Sequence, residues 1–259
     1  MSMESEEQLA EGSLVSHLVE LRSRLIRSAL SILLIFVCLI PFAEQTFTIV
    51  ATPLMERLPE NATMIATQVA SPFITPFKTS LFVAVFLSMP VILYQVWGFI
   101  APGLYRKEKR FASPLLISSI VLFYSGVAFA YFVVFPLMFG FFAAVSPEGV
   151  TMMTDISSYL DFILTIFFAF GLAFEVPIAT VMLVWSGLVS LEVLGKARAY
   201  VFLGAFVMGM LLTPPDAISQ TLLAVPVYLL YEAGLILARV LGKQADVSAS
   251  ADKSDSTDR

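Results

Sequence analysis

"FASPLLISSIVLFYSGVAFAYFVVFPLMFGFFAAVS", residues 111–146, contains no Asp, Glu, Lys or Arg. A bilayer's hydrocarbon core is about 30 Å thick and needs about 20 helical residues to cross it. A helix satisfies its own backbone groups, which lipid requires of anything that spans it. Working outward, residues 25–43, 79–101, 162–187, 199–212 and 217–238 are also almost free of charge. Four of the six runs are long enough to span outright, and the last two are shorter. The chain is 58% hydrophobic and 14% charged, well outside the range of soluble domains. The fold class expected is all-α, a polytopic membrane protein of six transmembrane helices in a curved, cup-like bundle.

The basic residues orient this bundle. Arg22, Arg24 and Arg27 precede the first run, four cations at 106–110 follow the second, and Lys196 and Arg198 follow the fourth. Arg239, Lys243, Lys253 and Arg259 follow the sixth, so alternate segments hold 13 of the 15 lysines and arginines. The positive-inside rule then places both termini in the cytoplasm. The division expected is residues 1–24 as an acidic cytoplasmic tail with an amphipathic interfacial helix, and 25–240 as the membrane domain. Its spans fall at about 25–43, 79–100, 112–143, 160–186, 199–212 and 217–238, and residues 241–259 form a disordered cytoplasmic tail. The net charge of −5 comes largely from the tails and implies no nucleic-acid partner. No cleavable leader is expected, because the start is acidic and the first apolar run begins after residue 24. No internal repeat is visible, which leaves a two-half transporter plan unsupported.

Residues 13–27 read as the amphipathic helix, with Leu14, Leu18, Leu21 and Leu25 on one side and Ser13 as its N-cap. Glu20 and Arg24 share the polar side at i,i+4, a pair that stabilises a helix by about 0.2–0.5 kcal/mol. Pro90, Pro136, Pro177 and Pro226 fall inside four spans, where each either bends its helix or is merely tolerated. The fifth run, 199–212, measures only about 21 Å at 1.5 Å per residue. Residues 44–78 form a long outer segment expected to cap that face, and 146–159 form a shorter one.

One histidine and one cysteine leave no material for a Ser-His hydrolase or a zinc centre. No cofactor, metal or catalytic role is therefore expected, and Cys38 reads as a buried thiol. The carboxylates are more informative. Glu175 lies inside the fourth span, where an ionisable group costs about 2.5–3.5 kcal/mol and turns inward. It is either a hydrogen-bonded contact between helices or a contact for a partner helix or substrate. Glu232 is interfacial, and Asp216 follows "TPP" where it either caps the last helix or serves the outer turn. Glu20 and Glu108 both lie on the cytoplasmic edge among cations, and charge alone leaves open whether each is more than a local ion pair.

"SHLVELRSRL" (16–25), "FIAPGLYRKEKR" (99–110), "FGLAFEVP" (170–177) and "GMLLTPPDAISQTLLAVPVYLLYE" (209–232) together resemble the TatC family. That family is the six-span core subunit of the twin-arginine protein translocase of the bacterial inner membrane. The likeness implies that Glu20 and Glu108 bind the paired arginines of signal peptides on folded cargo, with Arg22 and Phe99 at positions that matter for the same recognition. It implies functional sensitivity at Pro53, Glu175 and Asp216. It also implies that Met210, Leu211 and Thr213 lie at a docking edge for the single-span partners TatA and TatB. Several copies per complex, contact with membrane lipids and export driven by the proton-motive force follow from the same likeness. The alternative is a proton-coupled small-solute transporter working through Glu175.

Overall fold

The computed structural model describes residues 3–55, 63–100, 112–145, 153–212 and 217–255. Helix α1 (Met3–Leu39) passes through a 3-10 turn at Ile40–Phe42 into α2 (Ala43–Met55). Pro41 at the head of that turn has no N–H to donate, so the change of helix type falls where a donor is missing anyway. No break separates an interfacial helix from the first span. Ser13 lies inside α1 and not at its start, because Glu, Gln, Leu and Ala upstream are all good helix formers.

Strand β1 (Thr63–Ile65) precedes α3 (Ser71–Ile100), which keeps Pro76 and Pro90 in its interior. Within 112–145 the charge-free run is not one regular helix. It forms α4 (Ala112–Phe129), a π-helical turn at Ala130–Val134, and α5 (Phe135–Val145). Pro136 follows that turn and cannot donate to the preceding one, and a π bulge is a common way to absorb the mismatch.

Strand β2 (Met153–Asp155) pairs in parallel with β1, with Thr63 opposite Met153 and Ile65 opposite Asp155. The two expected outer segments therefore meet. This small sheet is the one departure, among the described residues, from an all-helical chain. The fourth span is α6 (Ile156–Ala173) and α7 (Val176–Trp185), parted at Phe174 and Glu175 with Pro177 in the first turn of α7. Short α8 (Leu191–Lys196) leads to α9 (Arg198–Leu212), and α10 (Ala217–Asp255) completes the chain. Helix α10 runs past residue 240, where a disordered tail is expected from sequence. Its Gln, Ala, Lys and Asp residues propagate a helix already nucleated upstream.

Among the described residues, five helical stretches are long and apolar enough to cross a bilayer: Leu18–Thr52, Ser71–Phe99, Pro114–Phe142, Ile156–Trp185 and Ala217–Val240. Arg198–Leu212 is a shorter apolar helix. One buried cluster joins α5 and the π turn to α6 and α10 through Phe135, Met138, Ile163, Ile166 and Leu223. A second joins α3, α4 and α7 through Met89, Trp97, Phe123, Ile178 and Met182. Gly126 and Gly171 let α4 and α6 cross closely, since a Cβ on the first would strike the Phe170 carbonyl and one on the second the Phe123 ring. Helix α1 packs mainly along α3. Its leucines at 25, 30, 33 and 34 are exposed, and so is Cys38, contrary to the buried thiol expected, because among the described residues α1 packs mainly against α3 along one side.

Candidate functional site

The site begins at Glu20, one turn from Arg24 on α1. Arg24 Nη2 and Nε donate to the same carboxylate oxygen, Glu20 Oε1, at 2.6 and 3.0 Å. Arg24 Nη1 points the other way, 3.4 Å from the Gln95 carbonyl oxygen of α3. One guanidinium therefore bridges two helices 71 residues apart in sequence, and it holds the Glu20 turn against the last turns of α3. Phe99 stands at that end of α3, half-buried, and Arg22 is exposed on α1. The segment 101–111, with Glu108, leaves α3 directly beyond this point and lies outside the described residues.

A second group of predicted positions lies elsewhere. Glu175 caps the break between α6 and α7, where its backbone N–H reaches only the Leu172 carbonyl, at 3.0 Å. The Ser119 hydroxyl of α4 donates to Glu175 Oε2. The other oxygen, Oε1, is buried without a hydrogen-bond partner among the described residues. Such an unsatisfied acceptor costs about 1–3 kcal/mol, more if charged, and marks a place where a donor from outside would be stabilising. Met210 and Leu211, near the end of α9, are 49% and 72% exposed. Beside them an apolar cavity of about 270 Å³ opens between α6, α9 and α10, lined by Ala173, Met208, Leu212, Leu223 and Val227. Pro53 falls in α2, while Thr213 and Asp216 lie outside the described residues.

The structure also contains ties that the sequence did not announce. Asp155 caps α6 by accepting at Oδ1 from the N–H groups of Ser157 and Ser158, at 3.1 and 3.0 Å. Its Oδ2 accepts from the Thr67 N–H at 2.9 Å and the Thr67 hydroxyl at 2.6 Å. The Thr67 hydroxyl, followed by that N–H and the Ser158 N–H, holds this carboxyl well below the usual carboxylate range. An Asp two residues before a Ser-Ser pair is the N-cap signature that could have found it. Lys78 of α3 donates to Asp161 of α6 at 2.6 Å. Arg198 Nη2 donates to Glu232 Oε2 at 2.9 Å, with Tyr228 donating to Oε1 at 3.0 Å, so Glu232 locks α9 to α10. The Tyr231 hydroxyl donates to the Leu194 carbonyl of α8 at 2.7 Å.

Residues 16–226 match the family model for TatC, the Sec-independent protein translocase protein. The TatC of Azotobacter chroococcum mcd 1 is 61% identical over 237 residues, covering 92% of this chain and 93% of that one. The TatC of Escherichia coli strain K12 is 54% identical over 226 residues, covering 87% and 88%. A crystal structure of the twin arginine translocase receptor TatC superposes with a TM-score of 0.78 at 39% identity, over 86% of this chain and 98% of that one. These matches give the solute-transporter alternative no support. A polytopic helical chain, likeness in fold and sequence identity over nine-tenths of its length lead to one conclusion: it belongs to the TatC family of Sec-independent protein translocase components.

Proposed function

We propose that this chain is the receptor and scaffold of a twin-arginine translocation system in a bacterial inner membrane. It binds the signal peptides of folded proteins at the cytoplasmic face through Glu20 and Glu108, assisted by Arg22 and Phe99. It then recruits the TatA and TatB helices along the α9–α10 edge at Met210, Leu211 and Thr213. Glu175, Pro53 and Asp216 support assembly or transport, and export draws on the proton-motive force. Helix α9 is the fifth of six spans and α10 the sixth, both termini are cytoplasmic, and the spans form a cup. Residues 1–24 and those beyond 240 flank the membrane domain.

The observation that carries the reading is the Arg24 bridge. It holds the turn with Glu20 beside the end of α3, from which the segment with Glu108 departs. Two carboxylates from distant parts of the chain then face one visitor. Arginine is always charged and presents a planar fork that a carboxylate accepts through two parallel bonds, which lysine lacks. Each charge-assisted contact contributes about 1.5–3 kcal/mol, so two contribute about 3–6. Micromolar binding needs about 8 kcal/mol. The balance comes from the signal's apolar stretch against the bundle, so the acids select and the packing holds.

Photo-crosslinking tests this. A twin-arginine signal peptide labels positions near 20 and 108, and its twin-lysine variant labels them weakly. Equal labelling by both peptides sinks the clamp.

A further inference from the structure

Glu20 is not a vacant acceptor. Its Oε1 already takes two N–H groups from Arg24, in a pair whose side chains are 21% and 38% exposed, the arginine being the more enclosed. The guanidinium has a fitted seat. Gly98 on α3 leaves the space it fills, and a Cβ there would overlap its atoms. The third nitrogen faces the Gln95 carbonyl at 3.4 Å, which is long for a hydrogen bond and has room to shorten. This seat lies in the last turns of α3, where the outward-facing carbonyls of the helix end favour a cation. Among the described residues no donor reaches Glu20 Oε2.

We propose that Arg24 is an internal occupant of the signal-binding carboxylate, displaced onto the end of α3 when an arriving guanidinium takes Glu20. The proposal rests on the reading of Glu20 as an acceptor for signal arginines. In the resting chain Arg24 neutralises Glu20 and keeps it paired, so cationic cytoplasmic segments meet a filled site. On binding, the visitor's fork replaces Arg24 at the carboxylate. Arg24 does not become a stranded charge, because the Gln95 carbonyl and the α3 terminus accept it. The exchange trades one guanidinium–carboxylate contact for another, so it lowers the affinity and makes release easy. It also shifts the residue that joins α1 to α3, and so gives the bundle a local means of sensing occupancy.

A double-mutant cycle on the full chain in lipid nanodiscs tests this. The probe is a fluorescent peptide with two adjacent arginines ahead of an apolar stretch. Arg24→Gln removes the occupant and tightens peptide binding by about two- to fivefold, the range set by a partly exposed ion pair. In a Glu20→Gln background the same substitution has no effect, because no carboxylate remains to be freed. Tightening that persists without Glu20 is a general loss of charge repulsion and overturns the proposal, as does unchanged or weaker binding in Arg24→Gln. If Arg24→Gln does not fold, Arg24→Lys runs the same cycle, since it keeps the charge and loses the fork. The expected outcome is then smaller tightening that still depends on Glu20. The underlying reading fails separately. If Glu20→Gln alone leaves peptide binding unchanged, Glu20 is not an acceptor. If it weakens binding while neither Arg24 variant tightens it, only the internal occupant is lost.

Discussion

A carboxylate acts according to what already touches it, and three in this chain make the contrast. Glu20 has one oxygen taken by Arg24 and, among the described residues, no partner on the other. Replacing it by Gln removes the charge while keeping the size. On the proposed reading, each signal arginine's contact contributes about 1.5–3 kcal/mol. Glu20→Gln and Glu108→Gln are therefore each expected to weaken signal-peptide binding by about ten- to a hundredfold, measured by fluorescence anisotropy. The two effects add when the acids hold different arginines. Asp155 has both oxygens filled and joins Thr67 to the start of α6. Its pKa is depressed on folding, so its stabilisation is fully present above the ordinary carboxylate value of about 4 and is lost as pH falls below it. Asp155→Asn is expected to lower the unfolding midpoint at neutral pH, with the gap to the parent closing under acid conditions. A gap that stays constant into acid would mean that the charge is not what holds the turn. Glu175 has one oxygen without a partner among the described residues, where a donor from outside the bundle would be stabilising.

Among the elements, α9 stands apart in length. Its 15 residues span about 22 Å, well short of the hydrocarbon core. A short span is accommodated by thinning the bilayer or by leaning on neighbours, at a modest cost per ångström. α9 has such a neighbour in α10, locked to it by Arg198 and Glu232. If local thinning helps the recruited helices open a passage, one extra apolar turn in α9 removes that help. The lengthened variant is expected to insert normally and export folded cargo several-fold more slowly. Undiminished export by a well-inserted variant counts against thinning. The helices themselves were legible in the sequence because lipid admits few alternatives to a long apolar run. What was not legible depended on partners distant in sequence. The Glu20–Arg24 pair follows from i,i+4 spacing, whereas the Gln95 carbonyl 71 residues away does not. Strands of three residues leave no alternation to read, so β1 and β2 stayed hidden in the outer segments. The unbroken α1 was missed because a Ser after a Gly resembles a helix start even where good helix formers precede it.

Across the whole molecule, the number of crossings decides which face Glu20 shares with Glu108, and parity can be tested without knowing any detail of the site. Five helical stretches among the described residues are long enough to span, and an odd count would leave the termini on opposite sides. If α9 crosses as well, the count is even and both termini lie with the 13 cations of the alternate segments. Single cysteines placed in a Cys38→Ser background separate the cases. Val69 is fully exposed between β1 and α3, and Val193 is exposed on α8. In intact cells a membrane-impermeant maleimide is expected to label Val69→Cys. Labelling of Ser5→Cys, Val193→Cys and Ser254→Cys is expected only after the membrane is opened. If Ser5→Cys and Ser254→Cys differ, α9 does not cross and the α9–α10 docking edge loses its place in the bilayer. If Val193→Cys is labelled from outside, the charge rule has misplaced the end of the fourth span. The carboxylates at 20 and 108 need an even number of crossings between them, and Leu18–Thr52 and Ser71–Phe99 are each long and apolar enough to supply one.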